Sequence, residues 1–311
     1  MAGEKIKTIF IGTPDFGVPF LKALVNAKNF LITGVITQPD KPIGRKQVLT
    51  PPAVKSAALE LGLPVYQSDK ISSLTEVIKP ADLIVVVAYG QIIPKTILEL
   101  PKYGIINLHP SLLPEYRGSS PIQAAILNGD AETGVTIMKM EEKLDTGPIL
   151  RQNIVNIEAA ETSGSLFSKL INGGLEIFIP TLEDYVKGNI TPQAQADAQA
   201  SYIHELVKSD GRIDWKKTAA EIERMVRAYD PWPGTFTETD GIKIKILKAE
   251  IAGGEEKHDK PGEIYLDNGR LAVKCGAGAL LVSRLQPAGK KEMTDKEFLN
   301  GYRRMLGKRF K

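Results

Sequence analysis

The chain has 311 residues, 42% of them hydrophobic and 25% charged, the balance of an ordinary globular protein with material for two cores. Its single cysteine, Cys275, excludes an intramolecular disulfide and a cysteine-cluster metal site, and no apolar run approaches a membrane span. The net charge of +3 is unevenly divided, because residues 208–311 hold 22 Lys and Arg against 16 Asp and Glu while residues 1–207 hold 18 against 21.

In chain order, Lys7–Gly12 reads as a buried strand, followed by a turn at Thr13-Pro14-Asp15-Phe16 and an amphipathic helix near Phe16–Ala27. Leu31–Thr37 is a second apolar strand, which completes a βαβ unit. The turn is not the G-x-G-x-x-G of dinucleotide binders, and no ribose-binding acid is well placed after the second strand. A nicotinamide cofactor is therefore not expected in this Rossmann-like arrangement. Gln38–Pro52 reads as a long polar loop punctuated by prolines and carrying Lys41, Arg45 and Lys46. A helix over Pro52–Leu61 and a short strand at Val65-Tyr66 follow. Asp82–Ala88 is almost continuously apolar, as a central parallel strand covered on both faces must be. Ile93–Leu98 suits a short helix, and Ile105–Leu108 is the next strand.

A helix follows from Ile122 to Asn128, and two paired strands are expected at Gly134–Met140 and Ile149–Ile154. A long helix runs from Ser163 to Val186. Gly188–Ser201, with its Ala-Gln repetition, reads as a linker. After a helix at Thr218–Tyr229, five short strands alternate with glycine turns: Thr235–Thr239, Ile242–Ile251, Gly262–Tyr265, Arg270–Lys274 and Ala279–Leu285. That texture suggests a small β-barrel of OB type, closed off by a basic helix over Asp295–Lys311. The expected architecture is α/β: a Rossmann-like, mostly parallel N-terminal domain (1–188), a linker (189–207) and an OB-like domain (208–311).

The chemistry concentrates at Asn107-Leu108-His109. With period-two alternation, an amide and an imidazole share one face where a buried strand ends. Asp145, in Leu144-Asp145-Thr146-Gly147, offers a carboxylate from a separate loop that can orient the ring. Asn107 could equally satisfy a strand end, and Asp145 is a good turn residue in its own right. There is no G-x-S-x-G, no strand-coupled cysteine and no zinc-ligand spacing. What remains is acyl transfer to a nucleophile supplied by a substrate, which needs an oxyanion donor and a proton carrier.

Several segments carry a family resemblance. They include Ile11–Phe16, Thr37–Pro42, Val85–Gly90, Asn107–Pro114, Tyr116–Gly118, Pro121–Gln123, Gly134–Met138 and Leu144–Gly147. Ile213–Trp215, Arg227–Pro233 and Leu285–Lys291 continue it into the last third. Together they resemble the methionyl-tRNA formyltransferases, within the wider folate-dependent formyltransferase superfamily. The resemblance implies transfer of a formyl group from 10-formyltetrahydrofolate, a co-substrate with no permanently bound cofactor or metal, to charged initiator tRNA. It places catalysis on Asn107, His109 and Asp145. Folate contacts fall on Ser111, Leu112, Leu113 and Pro114, with Val87, Ala88, Tyr89 and Gly90 walling the pterin pocket. Contacts to tRNA fall on Arg45, Lys46, Lys290 and Lys291, although Arg45-Lys46-Gln47-Val48 is less basic than the family's loop. A formyltransferase for a small amine, such as an amino sugar, is the alternative. With a strand so near the first residue no leader peptide is expected, and a cytoplasmic monomer without membrane contact is the expected state.

Overall fold

The computed structural model describes residues 4–44, 46–253 and 258–311. In chain order the first elements are β1 (Ile6–Gly12), α1 (Val18–Asn26), β2 (Phe30–Thr37), β3 (Lys41–Ile43), β4 (Val48–Thr50), α2 (Ala53–Glu60) and β5 (Val65–Gln67). Then come α3 (Thr75–Ile78), β6 (Leu83–Val87), α4 (Lys95–Leu98), β7 (Ile105–His109), β8 (Arg117–Gly118), α5 (Pro121–Asn128), β9 (Glu132–Lys139), β10 (Ile149–Asn156) and α6 (Ser163–Val186). The remainder is β11 (Tyr202–Ile203), α7 (Ala219–Ala228), β12 (Thr235–Thr239), β13 (Ile242–Ile251), β14 (Ile264–Asp267), β15 (Arg270–Lys274), β16 (Ala279–Pro287), β17 (Met293–Thr294) and α8 (Asp295–Tyr302). Among the described residues no helix is long and apolar enough to cross a membrane.

The chain divides into two compact units. The first comprises Met1–Gly118, Glu132–Asn156 and Phe167–Ile203; the second comprises Ser119–Ala131, Ile157–Leu166 and His204–Lys311. The boundary expected at residue 188 does not coincide with this division, since α5 and the start of α6 cluster with the C-terminal third.

In the first unit a seven-stranded sheet runs β10-β9-β7-β6-β1-β2-β5. The strands from β7 to β5 are parallel, and β9 and β10 are added antiparallel at one edge. Every residue of β6 and β7 is buried, which explains their unbroken apolar runs. One face packs Ile9, Ile11, Ile36, Ile84 and Ile105 into a core. The other receives α1 and α6, with the Phe20 and Phe178 rings 5.2 Å apart. Gly174 makes this approach possible, because a Cβ there would stand 2.8 Å from the Phe20 ring. From β1 the chain winds outward to β2 and β5, then returns to β6 on the other side of β1. Ligand crevices in open α/β sheets form at the carboxyl ends of strands at such a reversal. The two loops there are tied together, Thr13 N–H donating to the Ala88 carbonyl (3.1 Å) and Thr13 Oγ1 to the Tyr89 carbonyl (2.9 Å).

Three expectations are corrected. Gln38–Pro52 is not a plain loop but contains the β3–β4 hairpin, whose Ile43, Val48 and Leu49 are exposed. The strands are three residues long and broken by Pro42, too short for period-two alternation to show. At its base, hydrogen bonds from Lys55 and Gln67 hold the Asp40 carboxyl below its ordinary value. The expected linker is also ordered against the first unit: Gln193 bridges Ile149, and β11 pairs in parallel with β8.

The third correction is the basic terminal helix. Capping boxes, Thr218 with Glu221 and Thr294 with Glu297, start α7 and α8. But α8 ends at Tyr302, and Gly307 (φ +78°) turns the last residues into an extended tail. The second unit's sheet has the order β12-β13-β16-β15-β14, with β17 on β16, all antiparallel. The tail joins its two edges. Ile264 N–H donates to the Lys308 carbonyl (2.9 Å) and Phe310 N–H to the Gly262 carbonyl (2.9 Å) on one side. On the other, Lys311 N–H donates to the Glu238 carbonyl (2.8 Å). Phe310 is buried and stacks on Trp215, whose Nε1–H donates to Thr237 Oγ1 (2.9 Å). Phe310→Ala is expected to lower the stability of the second unit by about 3–5 kcal/mol, read as a fall in its chemical denaturation midpoint. An unchanged midpoint would remove the tail from the structural core.

Candidate active site

Strand β7 lies between β6 and β9, its Asn107 opposite Val86 on one side and Met138 on the other, and His109 opposite Thr136. The pleat sends Asn107 and His109 to the same face, as their spacing requires. Both are nearly sealed, 9% and 5% exposed. His109 Nε2 is 2.9 Å from the Tyr116 carbonyl. A carbonyl can only accept, so Nε2 carries the hydrogen and a second proton would sit on Nδ1. Nδ1 faces Asp145 Oδ2 at 3.7 Å, an ion-pair separation longer than a direct hydrogen bond. Among the described residues the Asn107 amide has no hydrogen-bond partner from the protein. That amide is therefore free to donate to a bound ligand.

Asp145 sits in the nine-residue connection between β9 and β10. Its φ of +52° is left-handed, a conformation that strains any residue with a Cβ. Ala88 (φ +51°) and Tyr116 (φ +58°) share it, so three strained non-glycine residues stand in the loops around the carboxyl ends of β6 and β7. Such strain persists where the surroundings enforce it, which is common at functional sites. Asp145 Oδ2 accepts from Gly118 N–H at 2.9 Å. At Gly147 a Cβ would lie 1.8 Å from the Lys139 carbonyl, so the loop closes on β9 only with glycine there.

The Ser111–Pro114 loop is fixed by residues that sequence reasoning missed. Thr136, fully buried beside His109, donates from Oγ1 to the Ser111 carbonyl (2.7 Å) and accepts from Leu113 N–H (3.1 Å). Gln152 donates to Thr136 Oγ1 and to the Leu113 carbonyl, both at 2.9 Å. The available signal was a hydroxyl inside the apolar run Gly134-Val135-Thr136-Ile137-Met138. Ser111 is buried, its own hydroxyl donating to the Glu115 carbonyl (2.6 Å), while Leu112 and Pro114 are half-buried at the loop's surface.

In the expected pterin wall, β6 ends at Val87, and the positive φ of Ala88 (+51°) and Gly90 (+82°) takes the chain out of strand alternation. Val87 is fully buried, and the Tyr89 ring belongs to the apolar core with its hydroxyl unpartnered, where burial pushes the phenol up. Only Ala88 and Gly90 of that stretch are exposed. Lys46, at the hairpin tip, and Lys290 and Lys291, in the turn between β16 and β17, are exposed. Arg45 lies outside the described residues.

A buried amide donor, an imidazole and a carboxylate with no protein nucleophile suit acyl transfer between two bound substrates. The comparisons with known proteins point the same way. The family model described as formyl transferase matches residues 4–182, and that for the formyl transferase C-terminal domain matches residues 205–303. The chain is 44% identical over 307 residues to a methionyl-tRNA formyltransferase of Listeria innocua, covering 97% of each chain. It is also 44% identical to one of Pseudoalteromonas translucida, covering 96% of this chain and 94% of the relative. Among solved structures, the Helicobacter canadensis N-formyltransferase in complex with folinic acid and dTDP-3-aminofucose aligns with TM-score 0.68 at 19% identity, over 93% of this chain and all of that one. HypX from Aquifex aeolicus in complex with tetrahydrofolic acid aligns with TM-score 0.62 at 17% identity, over 97% of this chain and 48% of that one. At these identities the two structures share the fold.

Thr136→Val keeps the shape beside His109 but strands the Ser111 carbonyl and the Leu113 N–H. It should lower stability by about 1–3 kcal/mol, measured by urea unfolding; a neutral change would show that the loop does not depend on this hydroxyl.

Proposed function

The chain belongs to the formyl transferase family, and on that premise we propose that it moves the formyl group of 10-formyltetrahydrofolate to the α-amino group of methionyl initiator tRNA. The amine nitrogen attacks the formyl carbon, and the carbonyl electron pair moves onto oxygen. The tetrahedral intermediate then breaks its bond to folate N10, which recovers the electron pair and takes up a proton. The products are N-formylmethionyl-tRNA and tetrahydrofolate.

The observation that carries this reading is the approach of His109 Nδ1 to Asp145 Oδ2 on the face shared with the Asn107 amide, which has no protein partner among the described residues. Asn107 donates to the oxyanion. His109, with its Nε2 hydrogen held by Tyr116, places its cationic charge and its exchangeable Nδ1 proton at the reacting centre. Asp145 balances that charge and draws the proton from the attacking amine. Folate lies against the Ser111–Pro114 loop and the exposed backbone of Ala88 and Gly90.

Support for a tRNA acceptor is the full-length likeness to enzymes of that name, together with the basic excess in residues 208–311. We assign tRNA contacts to that C-terminal region, Lys290 and Lys291 included, and to the hairpin carrying Arg45 and Lys46. We assign the reaction to the cytoplasm and to a monomeric chain. An amino-sugar acceptor is the reading favoured by the Helicobacter structure's ligand, and it would leave the basic C-terminal region without a task.

Formyl transfer to charged initiator tRNA, compared with transfer to free amino sugars, decides the acceptor; activity on the sugars alone would refute the assignment. Asn107→Ala and His109→Ala should each lower kcat by about 10²–10³, and a loss of only a few-fold would refute the mechanism. Replacing Lys290 and Lys291 by Ala should raise KM for tRNA, leave KM for folate unchanged and flatten the salt dependence by about two phosphate contacts. An unaltered salt slope would remove both lysines from the interface.

A further inference from the structure

The segment expected to be a linker is a strap across the Asp145 loop. Gln195 Nε2 donates to the carbonyl of Asp145 (2.8 Å) and to that of Gly147 (2.7 Å). Its Oε1 accepts from Arg117, at 3.1 Å from Nε and 2.8 Å from NH2. Arg117 is 1% exposed, the largest fully buried side chain in the protein among the described residues. It also donates to the Tyr202 hydroxyl (2.8 Å) and pairs with Asp197 (2.7 Å). Burial alone would lower its basicity, but these partners outweigh that and raise it, so the guanidinium is a fixed cation.

The strap reaches the other end of Asp145 as well. Strand β11 lies on β8 so closely that a Cβ at Gly118 would stand 2.2 Å from the Ile203 carbonyl. Gly118 is the residue whose N–H holds Asp145 Oδ2. One short segment thus grips the backbone carbonyl of Asp145 directly and its carboxylate through Gly118.

We propose that Gln195, oriented by Arg117, is a positioning residue for the reaction. Its two N–H groups hold Asp145 in the left-handed conformation that sets Oδ2 opposite His109 Nδ1. Without them the loop relaxes toward an unstrained φ, and the carboxylate moves with it. A misplacement of about 1 Å at a reacting group costs up to about a hundredfold in rate. The inference rests on the catalytic role given above to Asp145.

The test measures kcat and both KM values for formyl transfer in the full-length enzyme carrying Gln195→Met or Gln195→Glu, with Asp145→Asn beside them. Both Gln195 substitutions keep the side chain's length and remove its donors. Glutamate also keeps an acceptor for Arg117, so that variant retains the fold if methionine does not. The expected result is a kcat about 10- to 100-fold below wild type in each folded variant, with KM for folate and for tRNA within about threefold and the circular dichroism unchanged. If Gln195→Glu retains kcat within about twofold while Asp145→Asn loses it, Gln195 only anchors Arg117 and the proposal is overturned. A raised KM at full kcat overturns it too. Full activity in Asp145→Asn would instead overturn the reading on which it rests.

Discussion

A charged group can sit beside an imidazole at low exposure only if its remaining valences are met, because an unpaired buried carboxylate is far more costly than a paired one. That condition governs the first unit. Asp145 Oδ2 has Gly118 N–H on one side and His109 Nδ1 on the other, and neither contact survives a shift of the loop. The loop in turn cannot rest on its own preferences, since its key residue is left-handed. The strain, about 1–2 kcal/mol for one such residue, is offset by hydrogen bonds from Gln195 to the carbonyls of Asp145 and Gly147. A carboxylate on a nine-residue loop is therefore held as if it stood on a strand.

The sheet supplies the other half. Parallel strands end together, so the loops after β1, β6 and β7 converge, but each carries backbone groups that need partners. The antiparallel β9 and β10 meet part of that need: Thr136 and Gln152 complete the Ser111–Pro114 loop, and the turn between these strands brings Asp145 back to β7. An all-parallel edge would have required a crossover helix in that position, and its length would have taken the carboxylate away from His109.

Much of this was legible before the structure. Every strand of the seven-stranded sheet is legible, the central parallel ones as buried apolar runs and β10 as an alternating edge strand. Period-two alternation alone puts Asn107 and His109 on one face. That rule stops at Val87: Ala88 and Gly90 have positive φ, and the turn they make puts Tyr89 into the same core as Ile84 and Val86, where the family resemblance treats the stretch as one wall. Other features were illegible for a common reason. The β3–β4 hairpin has strands too short to show a period, and the Gln193–Ile203 strap and the terminal tail are held by long-range backbone and amide hydrogen bonds, which leave no periodic trace in the sequence. The Ala-Gln strap looked like a tether because alanine and glutamine carry no signal of packing. The tail looked helical because Lys and Arg are good helix formers, and its single decisive residue, Phe310, is buried only against Trp215, far away in the chain.

In the second unit the electrostatics carry an argument that counting charges could not. Lys243 lies over the Phe236 ring at 3.3 Å; partial burial and crowding by Lys208, Lys245 and Arg212 lower its ammonium from the ordinary value. Like charges gathered in this way are relieved by phosphates, which reverse the sign of the local interaction and release bound counterions as they do so. A basic surface with no partner would spread its lysines to avoid that repulsion. Here Lys243 and Lys245 share β13, and Lys208 and Arg212 also crowd Lys243, so part of the basic charge of the C-terminal third is gathered in one place. Such a gathering of cations suits a polyanionic partner of the kind proposed for this region.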